Sequence, residues 1–347
     1  MSDLVLDGTV SLGAASLELR CRIKPGQHLV VIGPNGAGKS TLLRTLAGLT
    51  PLSTGRLTLA DRVLDDPQDD VFVPAHDRPI ALQPQAGALF PHLSVLDNVA
   101  FPLRSTGCSR ADARAQARAH LDAVDASMLA DRSPGELSGG QAARVALARS
   151  LAAEPEILLL DEPAAALDVV ARASLRHIVD GIDQAVVTVT HDPVEARLLG
   201  EHFLVLDNGA TVQSGSIDEV SAAPATAWVA GLLGLNIVTG TAHGNLVSVP
   251  GGRELHLAER AQGPVHITFP SNAVALHRSR PSGSARNVFA VAITDLTAEG
   301  DRVRVGFDAG FSATAVVTAG AAAELQLRPG GEAWVSIKAT ELTALPA

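Results

Sequence analysis

The stretch Gly33-Pro34-Asn35-Gly36-Ala37-Gly38-Lys39-Ser40-Thr41 constrains this chain more than any other. An apolar run, His28–Ile32, precedes it, and Leu42–Ala47 follows. The order reads as a buried strand, a tight loop and the first turns of a helix. The spacing G-x-x-x-x-G-K-[ST] is that of a phosphate-binding loop. Its glycines let backbone N–H groups turn inward and form a concavity for an anion. The helix that begins near Lys39 adds the positive end of its dipole. Lys39 is then expected on the β- and γ-phosphates, and Ser40 offers its hydroxyl to Mg²⁺.

At 347 residues the chain has room for two or more domains. Its 46% hydrophobic and 18% charged residues suit a packed soluble protein. The net charge is −10, and the whole acidic excess lies in residues 1–235, with 18 basic and 28 acidic side chains. Residues 236–347 hold nine of each. No stretch is basic enough to follow a phosphate backbone, so no nucleic-acid partner is expected. Cys21 and Cys108, far apart, read as ordinary thiols and not as a disulfide or zinc framework. Met1–Asp7 lacks the regions of a signal peptide. No apolar run approaches the ~18 residues that cross a bilayer. The longest is Ala227–Leu235.

Along the chain, residues 4–23 alternate as a strand pair around a Gly-rich turn. Thr54–Leu59 reads as a further strand, and the acidic, Pro-containing piece Asp65–Asp70 as an exposed loop. Ser94 and Ser109 are candidate caps for two helices. Ile80–Gln85, Ile157–Leu160 and Ala185–Thr190 read as strands, with helical stretches at Ala142–Ala153 and Val169–Ile182. Asn208-Gly209 marks a hairpin. Strands alternating with helices imply a largely parallel sheet. Beyond Leu235 the pattern changes to short alternating strands, a small β-barrel domain with a less regular first half.

Four more signals follow the phosphate loop in a fixed order. Gln85 ends a strand; Leu137-Ser138-Gly139-Gly140-Gln141 opens a helix as a second anion site; Asp161 and Glu162 end an apolar strand; His191 ends the next. In doubly wound sheets ligands sit at the carboxyl ends of strands, so these groups can converge on one phosphate chain. With this set in place, residues 1–235 resemble the ATP-binding subunit of ABC transporters. The fold implied is an α/β P-loop NTPase domain with a helical subdomain at about residues 86–155, followed by a small all-β barrel at 236–347.

The resemblance implies two ATP molecules sandwiched in a head-to-tail homodimer. Ser138, Gly139, Gly140 and Gln141 of one copy close over residues 33–41 of the other. It implies Mg²⁺ on Ser40, Asp161 and Gln85. Glu162 is the expected general base. His191 would contact the γ-phosphate, and Asp168 would lie in the segment linking the two sites. Lys39 stabilises charge in a reaction that is mostly positioning and electrostatics.

Three departures stand out. No aromatic occurs in residues 8–17, where the family usually stacks adenine, and Leu12 is the aliphatic substitute. Ala165 stands where Ser is common, and Ala142-Ala143 replaces a polar pair.

Ala88–Leu93 resembles the loop that receives a permease's coupling helix in importers. The implied partners are integral membrane permease subunits and, indirectly, an extracytoplasmic substrate-binding protein. The implied location is the cytoplasmic face of the membrane. In the tail, Ser284-Ala285-Arg286-Asn287, Leu327–Gly330 and Trp334–Ala339 resemble the molybdate-binding barrel of molybdate importer ATPases, over about residues 284–345. The oxyanion candidates are Ser284, Ala285, Arg286, Asn287, Ser336 and Lys338, which supply hydroxyl, backbone and cationic donors. The reading is the ATPase of a molybdate or tungstate importer with an oxyanion-sensing tail. A sulfate, iron or sugar importer ATPase, a soluble ABC ATPase and an oxyanion storage protein stand as alternatives.

Overall fold

The computed structural model describes residues 3–346 apart from 14, 86–87, 166, 191–195 and 197–200. The chain divides into two compact units, Met1–Ala222 and Ala223–Ala347. The change of composition near Leu235 therefore falls inside the second unit, because the helix Ala227–Leu232 packs against the strand that follows it.

The first unit opens with the antiparallel hairpin β1 (Leu4–Leu12) and β2 (Ala15–Ile23). Strand β3 (His28–Ile32) feeds the phosphate loop and helix α1 (Lys39–Leu46). Strands β4 (Thr54–Leu59), β5 (Arg62–Asp66) and β6 (Val71–Phe72) extend the antiparallel portion. Strand β7 (Ile80–Gln83) leads to helices α2 (Val95–Ser105), α3 (Arg110–Ala123) and α4 (Gly139–Leu151). Ser94 and Ser109 cap α2 and α3, accepting from the backbone N–H of Asp97 and Asp112. Then come β8 (Ile157–Asp161), helix α5 (Val169–Asp180), β9 (Ala185–Val189) and the hairpin β10 (His202–Asp207) and β11 (Ala210–Ser216).

One sheet runs β6-β5-β4-β1-β2-β11-β10-β3-β9-β8-β7 among the described residues. Its β10-β3-β9-β8-β7 portion is parallel, as the alternation of strand and helix implied. These strands are apolar throughout because both faces are covered. Leu42, Leu43 and Leu46 of α1 pack with Val31, Leu159 and Val187 on one face. On the other, Leu147 of α4 and Leu175 and Val179 of α5 pack with Leu158, Leu160 and Val186.

The structure corrects one expectation here. Asp65 and Asp66 are not in an exposed loop; they end β5 and are 1% and 3% exposed. Asp66 accepts from Arg56 Nε and from Gln68 N. Asp65 accepts from Leu52 N at 3.0 Å and lies 3.9 Å from Arg78 Nη2. Burial pushes the Asp65 carboxyl up, against the Leu52 bond and the Arg78 charge. The Arg78 side chain is fully buried and donates to the carbonyls of Val73, Thr45, Leu46 and Leu64 at 2.7–3.3 Å. Thr45 and Leu46 belong to the last turn of α1, where a cation also meets the negative end of the helix dipole. Gly48 leaves room for it: a Cβ there would lie 2.6 Å from Arg78 Nε.

The second unit holds β12 (Leu235–Val249), β13 (Arg253–Pro270), β14 (Ala275–His277), β15 (Asn287–Glu299), β16 (Arg302–Asp308), β17 (Ser312–Thr318), β18 (Glu332–Ile337) and β19 (Thr343–Pro346). They form two antiparallel sheets, β12-β13-β19 and β14-β18-β15-β16-β17. Residues from both share one core, including Val247, Ile267, Phe269, Phe307, Ala315 and Val335. The first half of this unit is not less regular; it contains the long β12–β13 hairpin. The pairing shifts register between Gly244 and Leu246, and Asn245 Nδ2 bridges the bulge to the carbonyls of Leu257 and Ala258.

Truncating Arg78 leaves Asp65 buried without its cation and takes one donor from each of four carbonyls, of which Thr45 and Leu64 keep a backbone donor in Gly48 and Val73. Arg78→Ala is expected to cost about 3–5 kcal/mol. Urea unfolding of the two proteins measures this, and a change within half a kcal/mol (~0.5) would overturn the assignment.

Candidate functional site

The parallel register lines up the chemistry. Val31 pairs with Val189, Val189 with Asp161, and Leu160 with Gln83. Gly33, Asp161, Glu162 and Gln85 each follow within two residues of those positions, along one edge of the sheet. Strand β9 ends at Val189, and His191 lies outside the described residues.

The phosphate loop is shaped by close packing below and open space above. A Cβ on Gly33 would run into the Leu206 carbonyl oxygen, and one on Gly38 into the Leu17 side chain. Gly38 caps α1 with φ 102°, and no side chain caps the helix. Gly36 has φ 81°, and a Cβ there would meet nothing within 4 Å, so its face of the loop is open. Pro34 and Thr41 are half-buried, Ala37 is buried, and Asn35, Gly36 and Ser40 are exposed. The arrangement presents first-turn N–H groups to an anion.

Lys39 is only 7% exposed. Its Nζ donates to the carbonyls of Gly33 (2.8 Å) and Pro34 (2.9 Å). Burial pushes the ammonium down, while the charges of Glu162 and Asp161 oppose that shift. Ser40 Oγ donates to Asp161 Oδ1 at 3.5 Å. Burial raises the Asp161 carboxyl, the Ser40 bond and Lys39 lower it, and Glu162 raises it further. A hydroxyl beside a carboxylate is a hard-oxygen pair of the kind Mg²⁺ takes when phosphate and water complete its shell. Ser40 and Asp161 therefore fit the metal that the loop implies.

Glu162 has φ 47°, uncommon outside glycine, and its N–H donates to Val189 O at 3.0 Å. Such a backbone costs on the order of 1–3 kcal/mol and marks functional sites. Gln85 Nε2 donates to Glu162 Oε2 at 2.8 Å, so Gln85 holds the carboxylate.

Ser138–Gln141 opens α4 with a capping box. Ser138 Oγ accepts from Gln141 N, and Gln141 Oε1 accepts from Ser138 N. Ser138 and Gly139 are exposed, whereas a Cβ on Gly140 would lie 2.9 Å from Ala171 Cβ of α5. No hydrogen bond among the described residues joins this segment to the phosphate loop. Asp168 caps α5 by accepting from Ala171 N. Leu12 is 47% exposed on β1. Sequence reasoning missed Leu17, which packs against the loop at Gly38; its only signal was its place in the alternation of β2.

In the second unit a cavity of about 510 Å³ is lined by Ser284, Ala285, Ser336 and Lys338, with His277 and Glu341. Arg286 and Asn287 are not brought to it. Arg286 is exposed, and Asn287 is 1% exposed with its amide spent on the backbone N–H and carbonyl of His256.

Comparison with known proteins agrees with this geometry. The ABC transporter family pattern matches residues 17–165, and the TOBE domain pattern matches residues 283–344. The chain is 40% identical over 348 residues to the molybdenum import ATP-binding protein ModC of Mycobacterium tuberculosis, covering 95% of this chain and 94% of that protein. It is 31% identical over 335 residues to the molybdate/tungstate import ATP-binding protein WtpC of Pyrococcus horikoshii, covering 95% of each. Among solved structures, the dimeric bacterial ABC transporter cassette MJ0796 matches with TM-score 0.53 and 29% identity, over 62% of this chain and 98% of that one.

The left-handed backbone of Gly36 lies in open space, so conformation alone decides what it tolerates. Gly36→Ala is expected to weaken binding of a fluorescent ATP analogue about tenfold, the effect of ~1–2 kcal/mol of strain. Gly36→Asn, which tolerates this conformation, loses less. Equal losses in a binding titration would contradict the assignment.

Proposed function

The chain belongs to the ATP-binding subunits of ABC importers, and from that premise we propose that it hydrolyses ATP to drive uptake of molybdate or tungstate. The observation that carries the first part is the convergence of Lys39, Ser40, Asp161, Glu162 and Gln85 on one sheet edge. What supports the cargo is that the ModC and WtpC relatives match along nearly the whole length, the TOBE unit included.

ATP lies with its phosphates in the loop of residues 33–41. The loop N–H groups bind phosphate oxygens. The Lys39 ammonium leaves the Gly33 and Pro34 carbonyls for the β- and γ-phosphates. Ser40, Asp161 and Gln85 would hold Mg²⁺, which would supply charge neutralisation at the phosphates. Glu162 takes the proton of the attacking water, and Gln85 orients its carboxylate through the 2.8 Å hydrogen bond. His191, outside the described residues, is assigned to the γ-phosphate by the family resemblance alone. Leu12, 47% exposed on β1, takes the place of the aromatic ring against adenine.

Each site is completed by a second copy. Ser138 and Gly139 are exposed at the N-terminus of α4, where they can meet a γ-phosphate held by the partner. The dimeric cassette MJ0796 supports this assembly. Asp168, capping α5, lies in the segment between the two sites.

The protein acts at the cytoplasmic face of a membrane, bound to permease subunits that receive cargo from an extracytoplasmic binding protein. No helix among the described residues is long and apolar enough to cross a membrane. The permease helix docks at residues 88–93. Phe101 is 46% exposed and stacks 4.7 Å from half-buried Phe90, and Arg149 covers the same ring. Buried Asn98 fixes this loop by bonding both the N–H and the carbonyl of Phe90. In the second unit, the cavity at Ser284, Ser336 and Lys338 senses the oxyanion and tunes transport.

Glu162→Gln is expected to keep nucleotide binding and lose turnover by about 10²–10⁴-fold in a phosphate-release assay. Undiminished turnover would remove Glu162 as the base. Calorimetric titration of the full chain with molybdate tests the sensing cavity, and absence of heat would remove it.

A further inference from the structure

We propose that His277 makes oxyanion binding in the C-terminal cavity proton-linked, an inference that rests on reading this cavity as the oxyanion site. The argument starts from register. Strand β14 pairs with β18 so that Ala275 faces Ser336 and His277 faces Trp334. His277 and Ser336 are therefore diagonal neighbours on one face of the sheet, within side-chain reach. Their contact is direct: His277 Nε2 lies 2.9 Å from Ser336 Oγ. Both residues line the cavity with Ser284 and Lys338. Val288, opposite Ser336 on the other flank of β18, lines it too.

Two effects follow from protonating the ring, and they have the same sign. The first is charge. The fixed charges on this cavity are Lys338 and Glu341, which cancel for a bound anion. A proton on His277 changes that balance to one positive charge facing a dianion. The groups behind the ring do not reverse it. A second cavity, on which His277 also opens, carries Arg278, Arg328 and Glu332, a net positive set. Arg280 is occupied over the Trp334 ring at 5.7 Å.

The second effect is the direction of one hydrogen bond. A neutral imidazole can accept from the Ser336 hydroxyl at Nε2, which turns the hydroxyl proton away from the cavity. The imidazolium carries N–H on both nitrogens, so Nε2 can only donate. Ser336 Oγ then accepts from the ring, and its own proton is released to donate to an oxyanion. Ser336 is 9% exposed, so water competes little for that hydroxyl. In the neutral tautomer protonated at Nδ1, the same ring leaves an oxygen lone pair where the anion's oxygen would sit; in the other tautomer only the charge effect operates.

Histidine is the side chain whose charge ordinarily changes between about pH 5 and 8. Binding to the charged form takes up one proton per anion. By linkage, uptake of one proton per anion makes affinity rise as pH falls, by at most about tenfold per pH unit. Lys338 and Ser284 supply affinity at every pH; His277 sets how much of it survives in alkaline conditions.

The test is equilibrium dialysis of the full chain against molybdate, from about pH 6 to about pH 8, with the fluorescence of a Trp228→Phe chain, which retains Trp334, as a second readout. Calorimetry in buffers of different ionisation heat counts the protons taken up by the unmodified protein. The expected result is proton uptake with tighter binding at the acid end, and a flat pH profile in His277→Gln. Ser336→Ala is expected to weaken binding most at low pH. Binding that is pH-independent and without proton uptake overturns the role of His277 while leaving the cavity as an oxyanion site. A pH profile that persists in His277→Gln overturns it as well. No binding at any pH overturns the sensing reading itself, and this inference with it.

Discussion

A nearly buried ammonium governs the nucleotide-binding unit. Lys39 bonds two carbonyls of its own loop while the carboxylates of Asp161 and Glu162 hold its charge against the cost of burial. Those carboxylates are in range because β3, β9 and β8 run parallel in one register. The sheet thus fixes a cation and two anions in a place where none of them would be stable alone. A phosphate chain can take over the bonds that Lys39 makes to neutral carbonyls, with a charged acceptor in their place. Charge-assisted hydrogen bonds are roughly twice as strong as neutral ones. The site is therefore built to exchange partners when nucleotide enters.

Much of this was legible in the sequence because the chemical residues sit at the ends of apolar runs. Ile157–Leu160 could only be a buried strand, so Asp161 and Glu162 had to lie at its exit. What could not be read was anything set by a distant partner. Asp65 and Asp66 looked solvated because their cations, Arg78 and Arg56, belong to other elements. The left-handed backbone of Glu162 has no local signature, since it follows from the strand exit and the bond to Val189. Asn287 fits an anion-binding motif by type, yet its amide is consumed by His256 across the unit. The β12–β13 hairpin was obscured for another reason. Many of its side chains are exposed, so the alternation that signals a half-buried strand is diluted.

The two units would meet the anions proposed for them by different means. The first carries the acidic excess and still presents a phosphate site, because backbone N–H groups, a helix end and one lysine act at close range. Net charge acts over about a Debye length, roughly 8 Å at physiological salt, and is overridden by contacts. The second unit is charge-balanced and offers hydroxyls around a single lysine. Such a site answers to the orientation of its donors more than to charge, so one neighbouring imidazole can alter it.

Helix α4 joins the remaining surfaces. Ser138, Gly139 and Gly140 lie at its N-terminal end, tight against α5. Arg149 lies in its last turn, donating to the Ala88 carbonyl at 2.8 Å and covering the Phe90 ring. The intervening residues Val145, Ala146, Leu147 and Ala148 are fully buried, so the helix cannot bend without opening two hydrophobic clusters. A helix of this length spans about 20 Å. A force on the loop at Phe90 therefore reaches the serine and glycines at the other end as rigid-body motion. The same loop follows Gln85, which holds the Glu162 carboxylate. On the proposed function, one displaced loop would act both on Glu162 in its own chain and on the surface offered to a second copy, which would tie hydrolysis to transport.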